Sequence, residues 1–357
     1  MEIKKYLKLM IEKDASDMFY RAGANVRMRI DGKVVPVGDQ IISLDEINDS
    51  VKELTSSELK GFFQKNLDVD FGVYLPELDH RFRISIFMQR NWPVMVVRNI
   101  RSHIQTFEEL NLPVDILKKL CMEARGLVLL TGSMGSGKST TLATMIDYIN
   151  KNCQKHILTI EEPIEFTFAD NKSVINQREL NIDVMSYDAA LRGFTLQSSD
   201  VIYIANIRDH ETMAAALTAA ETGVLVLSTL HTVNAAKTIE RIVNFFPPYQ
   251  HREVKTQLST LLKGVISLRL VPLKDGPGRV PAYESMVLTP TISRLIREDR
   301  LGEITPFIED GSVFGMQSFT QSLVKLVKEG KINEEDAATI ADSRDEFILA
   351  LKGIKQV

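Results

Sequence analysis

The chain is short of cysteine, has no apolar run long enough to cross a bilayer, carries no surplus of positive charge and contains no internal repeat or low-complexity stretch. Its two cysteines in 357 residues, Cys121 and Cys153, lie in apolar or mixed helical surroundings without metal-ligand spacing. That argues against a disulfide framework and reads as structural thiols in a reducing compartment. No segment approaches the ~20 apolar residues of a membrane span. Met1-Glu2-Ile3-Lys4-Lys5 leads into an amphipathic pattern rather than the apolar core of a secretion signal, so a cytoplasmic protein is expected. The net charge of −4 offers no general attraction to nucleic acid or anionic lipid, and basic residues occur only as scattered pairs.

What is present is an ordinary globular balance, 44% apolar against 25% charged, in a chain long enough for two cores. Ile3, Tyr6, Leu7, Met10 and Ile11 fall at helical spacing, and Gly32 separates two extended runs, residues 27–30 and 33–36. Residues 43–66 read as helical behind a Ser43-Leu44-Asp45-Glu46 capping box. Strands are expected at 69–75, 81–89 and 94–100, which makes residues 1–100 a small α+β module on an antiparallel sheet. Residues 101–113 are polar, end in Leu110-Asn111-Leu112-Pro113 and read as a linker. Beyond them, strands at 127–130, 156–160, 173–176, 201–205 and 224–229 alternate with helices at 138–150, 186–195 and 210–222. Such alternation predicts an α/β fold, a parallel sheet with helices on both faces, and it is followed by helices from Thr289. Ligands of these sheets bind beyond the carboxyl ends of the strands, which directs attention to Glu161, Asn206 and His231.

The strongest motif is Gly132-Ser133-Met134-Gly135-Ser136-Gly137-Lys138-Ser139-Thr140, placed between the apolar strand Gly126-Leu127-Val128-Leu129-Leu130 and a helix. In a phosphate-binding loop the glycines let backbone N–H groups converge on phosphate oxygens, and the helix adds its positive end. Lys138 supplies a point charge and Ser139 a hydroxyl for Mg²⁺. A glycine-rich turn explains neither the lysine nor the flanking order, so nucleoside triphosphate binding is expected. The second strand ends in His156-Ile157-Leu158-Thr159-Ile160-Glu161-Glu162-Pro163, adjacent carboxylates that could hold Mg²⁺ or orient a water. The plainer reading of that segment is an acidic turn stopped by Pro163.

Leu158-Thr159-Ile160-Glu161-Glu162-Pro163-Ile164-Glu165-Phe166 resembles the acidic box of the secretion ATPase superfamily and, more narrowly, of the type IV pilus retraction ATPases. The resemblance extends over nearly the whole chain. Ala219-Ala220-Glu221-Thr222-Gly223 with Ser228-Thr229-Leu230-His231-Thr232 is similar to the family's histidine box, and residues 235–242 and 245–247 follow as they do there. Thr291-Ile292-Ser293-Arg294-Leu295-Ile296-Arg297-Glu298 resembles the C-terminal signature helix of the retraction branch, and Gly315-Met316-Gln317-Ser318-Phe319 the segment after it.

The resemblance implies a RecA-like P-loop ATPase core at 114–357 behind an N-terminal PAS-like α+β domain. It implies ATP and Mg²⁺, the metal held near Ser139, Glu161 and Glu162, with Glu161, Asn206 and His231 at the reaction. Arg83 and Arg98 would serve as arginine fingers across a subunit boundary, within a homohexamer or a ring mixed with a paralogue. The implied setting is pilus retraction and twitching motility, at an inner-membrane platform protein on the cytoplasmic side of the pilus base. A nucleic-acid translocating ring shares such a core, but the low net charge and the absence of a basic stripe speak against it.

Three departures stand out. The third strand reads Asp200-Val201-Ile202-Tyr203-Ile204-Ala205-Asn206, where the family has Gly-Glu at the last two positions. Val224 replaces the first histidine of the histidine box, and Leu196-Gln197-Ser198-Ser199-Asp200 replaces an Arg-acidic-Asp-Pro-Asp approach. An asparagine can accept a hydrogen bond from a metal-bound water but is no general base at neutral pH. Weak or partner-dependent hydrolysis is therefore the alternative expectation, with Asp209 reading as a helix cap rather than a substitute carboxylate.

Overall fold

The computed structural model describes residues 2–30, 32–100, 104–194, 197–276 and 278–354. The start of the expected linker, residues 101–103, lies outside them, as do Thr195 and Leu196. The chain divides into one unit of Met1–His103 with Pro163–Thr167, and another of Ile104–Glu162 with Phe168–Val357.

The first unit opens with α1 (Glu2–Glu12), whose Ile3, Tyr6, Leu7 and Met10 are buried along one stripe. Strands β1 (Asp17–Arg21), β2 (Asn25–Ile30) and β3 (Lys33–Ile41) follow, the first of them not marked by the sequence pattern. Residues 43–66 form two helices, α2 (Leu44–Leu54) and α3 (Ser57–Asn66), because Thr55 turns extended and Ser56 caps a fresh start. The expected capping box of Ser43 and Glu46 is present. With β4 (Asp68–Leu75), β5 (His80–Gln89) and β6 (Trp92–Ile100) the strands form a six-stranded antiparallel sheet in the order β3-β2-β1-β6-β5-β4. Phe82, Ile84 and Ile86 alternate into the core of this unit.

The second unit begins with α4 (Val114–Cys121), β7 (Gly126–Thr131), α5 (Lys138–Asn152), β8 (His156–Glu161) and β9 (Val174–Glu179). It continues through α6 (Tyr187–Phe194), β10 (Val201–Ile204), α7 (His210–Glu221), β11 (Leu225–Leu230), α8 (Ala235–Val243) and α9 (His251–Leu261). Strands β12 (Leu262–Pro272) and β13 (Arg279–Val287) precede α10 (Pro290–Arg297), α11 (Ile304–Glu309), α12 (Phe319–Lys328), α13 (Glu334–Ile340) and α14 (Arg344–Leu351). The seven-stranded sheet runs β13-β12-β7-β11-β10-β8-β9. It is parallel from β12 to β9, but β13 pairs antiparallel with β12, which corrects the expectation of a purely parallel sheet.

Both faces of this sheet are covered, and the strand residues sort by parity. Leu127 and Leu129 of β7 face one apolar cluster with Ile202 and Ile204 of β10, while Val128 and Leu130 face another with Val201 and Tyr203. Full burial of such a side chain contributes about 1.5–3 kcal/mol, which pins the register of the central strands. The C-terminal helices gather their own cluster of Phe319, Leu323, Ala337 and Phe347 over Val271, Val280 and Ala282.

Candidate nucleotide site

Parallel pairing brings the carboxyl ends of four strands to one edge. Thr131 lies beside Leu230, and Ile204 beside both Ser228 and Ile160. The loop 132–137, His231, Asn206 and Glu161 therefore emerge in the lateral order of β7, β11, β10 and β8.

The phosphate loop has the backbone its glycines predict. Gly132 has φ +143, and a Cβ there would come within 2.5 Å of the Leu268 carbonyl and of Ser136 Oγ. Gly137, at φ +96, caps α5 without a side-chain hydrogen bond, so the first helical N–H groups stay available to an anion. Ser136 Oγ is buried without a hydrogen-bond partner among the described residues. Lys138, only 7% exposed, donates from Nζ to the carbonyls of Gly132 at 2.9 Å and Ser133 at 2.8 Å. Ser139 and Thr140 stand half-buried in the first turn of α5. An orphaned hydroxyl, an uncapped helix start and a buried ammonium together fit a polyphosphate. Met134, 90% exposed, contributes only backbone to this loop.

Glu161 ends β8 with 4% exposure, and its Oε1 accepts from Thr159 Oγ1 at 2.7 Å and Gln177 Nε2 at 3.0 Å. Gln177 sits opposite Thr159 on β9, and no local pattern marked it. Asn206 follows a backbone clamp in which Ser228 Oγ donates to the Ile204 carbonyl at 2.7 Å, Thr229 Oγ1 to that of Ala205, and Ile207 N to that of Thr229. With its carboxamide oxygen turned toward Arg208, the orientation its neighbours satisfy, Asn206 accepts from Nε at 2.8 Å and Nη2 at 3.1 Å. Arg208 Nη1 also lies 3.5 Å from Glu162. Both features were passed over in the sequence: Arg208, two residues past Asn206, ties the acidic box to the third strand, and it takes up the oxygen that was expected to face a metal-bound water. Asp209 caps α7, accepting from Thr212 N at 2.8 Å, as expected.

Among the described residues no three His, Cys, Asp or Glu side chains cluster to hold a metal. A Mg²⁺ carried by a nucleotide needs only one or two protein oxygens beside the phosphates, and the Ser139 hydroxyl with the Glu161 and Glu162 carboxylates offers that donor chemistry.

His231 lies just past β11, hydrogen-bonded to the Gly132 backbone. Burial holds its imidazole below the ordinary value of 6.5, and the charges of Lys138 and Arg208 push the same way. It is neutral at physiological pH and able to donate one N–H. In an NMR titration its ring signal is expected to move only below the usual histidine midpoint, and to shift upward when a γ-phosphate analogue binds. A midpoint at or above 6.5 without nucleotide would contradict this geometry.

Two of the three sequence departures lie away from this edge. Val224 precedes β11 at its amino end, buried in the core and bonded through its carbonyl to Gly126 N. Seven extended residues put it on the order of 20 Å from His231. Asp200 likewise sits before β10, accepting from His156 N at 2.8 Å. Among the described residues, Asn206 is the departure that stands at the carboxyl edge, while Asp200 itself matches the family pattern.

In the first unit, Arg83 and Arg98 face each other across β5 and β6. Arg83 Nε donates to both Asp70 oxygens at 3.1 Å, and Arg98 Nε to Asp17 at 3.0 Å. Asp17, beside Arg98 in register, also binds Arg29 at 3.2 Å. These carboxylates relieve the like-charge opposition of the two arginines and hold both side chains on one face of the sheet.

Residues 1–277 match the family described as Type II/IV secretion system protein. The chain is 41% identical over 352 residues to the type IV pilus ATPase PilU of Pseudomonas aeruginosa, spanning 99% of this chain and 92% of that one. It is 40% identical over 347 residues to the type IV pilus retraction ATPase PilT of the same organism, covering 97% and 100%. A crystal structure of the pilus retraction motor PilT with bound ADP superposes with a TM-score of 0.90 at 40% identity, over 97% of this chain and 98% of that one.

Proposed function

The chain belongs to the Type II/IV secretion system protein family, in its pilus-retraction branch, and from that premise we propose how its site works an ATP-driven motor for pilus retraction and twitching motility. The carrying observation is the phosphate loop with its uncapped helix start, orphaned Ser136 hydroxyl and buried Lys138, facing Glu161, Asn206 and His231 on neighbouring strand ends.

Backbone N–H groups of residues 132–140 hold the phosphates, and Lys138 leaves its two carbonyl partners for the β and γ oxygens. The Ser139 hydroxyl and the Glu161 and Glu162 carboxylates would hold Mg²⁺, which would supply charge neutralisation at the phosphates. Glu161, fixed by Thr159 and Gln177, orients the attacking water. His231, neutral and giving its one N–H to the Gly132 backbone, turns that N–H to the γ-phosphate region when nucleotide binds. Arg83 and Arg98 reach the site of a neighbouring subunit in a hexameric ring. Unequal affinity of ATP and ADP for two subunit arrangements then moves the ring. The motor acts in the cytoplasm, at the platform protein beneath the pilus.

A second reading rests on Asn206. With a neutral amide bound to Arg208 where the family has glutamate, the chain fits an ATP-binding, weakly hydrolysing partner of an active retraction ATPase.

Two experiments test these roles. Fluorescently labelled pili of cells lacking this protein should extend and fail to retract, and the intact gene should restore retraction. Normal retraction without it would refute the motor reading. For the fingers, Arg83→Ala and Arg98→Ala are each expected to lower turnover by about 10³-fold. Loss of the exposed Asp70 pair itself costs at most about 1 kcal/mol. Mixing Arg83→Ala with Lys138→Ala subunits should recover phosphate release, because each supplies what its neighbour lacks. No recovery would place the arginines outside their neighbour's site.

A further inference from the structure

The turn that follows His231 is held from outside the catalytic edge. Ala235, the first residue of α8, is fully buried, and its N–H donates to Glu284 Oε1 at 2.7 Å. Glu284 belongs to β13, is itself 4% exposed, and pairs in register with Ser267 of β12. Ser267 accepts at 2.8 Å from Thr131, the residue before the phosphate loop. Arg269 lies two positions along the same strand face. From there it donates to the Val233 carbonyl at 3.3 Å, the Ile340 carbonyl at 2.8 Å and Asp342 at 2.6 Å, with Phe319 under its guanidinium at 3.9 Å. One sheet face thus joins the root of the phosphate loop, the turn 232–234 and the junction between α13 and α14.

We propose that Glu284 and Arg269 are positioning residues for ATP turnover: they set the turn that carries His231, and through Arg269 the C-terminal helices bias how His231 distinguishes ATP from ADP. This rests on the reading of His231 as the group facing the γ-phosphate. A helix-capping role alone needs neither the charge on Glu284 nor the second tie through Arg269, since the Asn234 side chain already caps α8 by accepting from Lys237 N at 2.9 Å. Burial pushes the Glu284 carboxyl up to about 7, helped by Asp342 and Glu309, while the Ala235 N–H and Arg269 draw it back. Its charge therefore changes within the physiological range. Protonation weakens its hold on Ala235, so His231 is best placed above that range.

The test is equilibrium binding of fluorescent ADP and a fluorescent, slowly hydrolysed ATP analogue to the full chain. Glu284→Gln keeps an acceptor for Ala235 but does not titrate. Asp342→Asn, on a half-exposed side chain, takes the ion-pair partner from Arg269 and a negative charge from the surroundings of Glu284 without touching Ala235 or His231. Both variants are expected to bind ADP as wild type does while their preference for the ATP analogue falls by about fivefold or more. Preference should vary with pH in both proteins because His231 titrates, but between about pH 6 and pH 8 the wild-type profile should carry an added component from Glu284 that Glu284→Gln lacks. Unchanged preference in Asp342→Asn, or a pH profile unaltered in Glu284→Gln, overturns the proposal. So does a parallel loss of ADP affinity in a variant that still unfolds cooperatively, because the pair would then act on the phosphate loop. Failure of the wild type to bind either nucleotide would instead refute the ATPase reading beneath it.

Discussion

Phosphate release is expected to rise by about 10²- to 10⁴-fold when Asn206 is replaced by glutamate, the contribution of a positioned general base. The backbone at this position is already prepared: Ser228, Thr229 and Ile207 clamp residues 204–207 against β11. What is missing is a charged acceptor. The Asn206 oxygen is occupied by two guanidinium donors of Arg208, which leaves the amide N–H₂, a donor group, to face the site. A glutamate would give one oxygen to Arg208 and keep the other for water. Arg208 is 63% exposed at its side chain and spans Glu162 by 3.5 Å, so it can re-pair without disturbing the core. Asn206→Gln, which lengthens the side chain without charge, should show no gain. Steady-state phosphate release on the three proteins decides the matter. An unchanged rate for Asn206→Glu would show that Glu161 alone already sets the water, and that turnover is limited elsewhere.

Lys138→Ala should abolish turnover, lowering it by at least about 10²–10³-fold, the cost of removing one preorganised charge from a transition state. The wild-type lysine is 7% exposed, and its ammonium donates to the carbonyls of Gly132 and Ser133 in its own loop. Losing two charge-assisted hydrogen bonds costs a few kcal/mol at most, so the variant should still unfold cooperatively. A calorimetric scan separates the two effects, and Met134→Ala, on a side chain 90% exposed, serves as the silent control in the same loop. Residual activity near wild type would mean that the phosphates are held by backbone and Ser136 alone.

Local pattern carried much of the architecture. The alternation of Phe82, Ile84 and Ile86 placed them in the core, the Ser43 and Glu46 box opened α2, and Asp209 capped α7. These are short-range effects, settled by backbone geometry within one turn or one pleat. The hairpin of β12 and β13 escaped notice although its residues alternate, because a strand added antiparallel to a parallel sheet has no repeating helix to announce it. The break at Thr55 was hidden by continuous helical propensity on both sides.

The sequence by itself determined that this chain binds a nucleoside triphosphate, since a phosphate loop needs only glycines, a lysine and a hydroxyl in consecutive order between a strand and a helix. It also marked Asn206, Val224 and residues 196–200 as departures from the family pattern. Only the tertiary structure decided that Arg208 holds the Asn206 oxygen and that Glu284 and Arg269 grip the turn beyond His231. Arg269 pairs with Val233, 36 positions before it, and with Asp342, 73 positions after it. Strand order and register set such contacts, and both follow from how buried faces pack across the sheet rather than from any neighbouring run of residues.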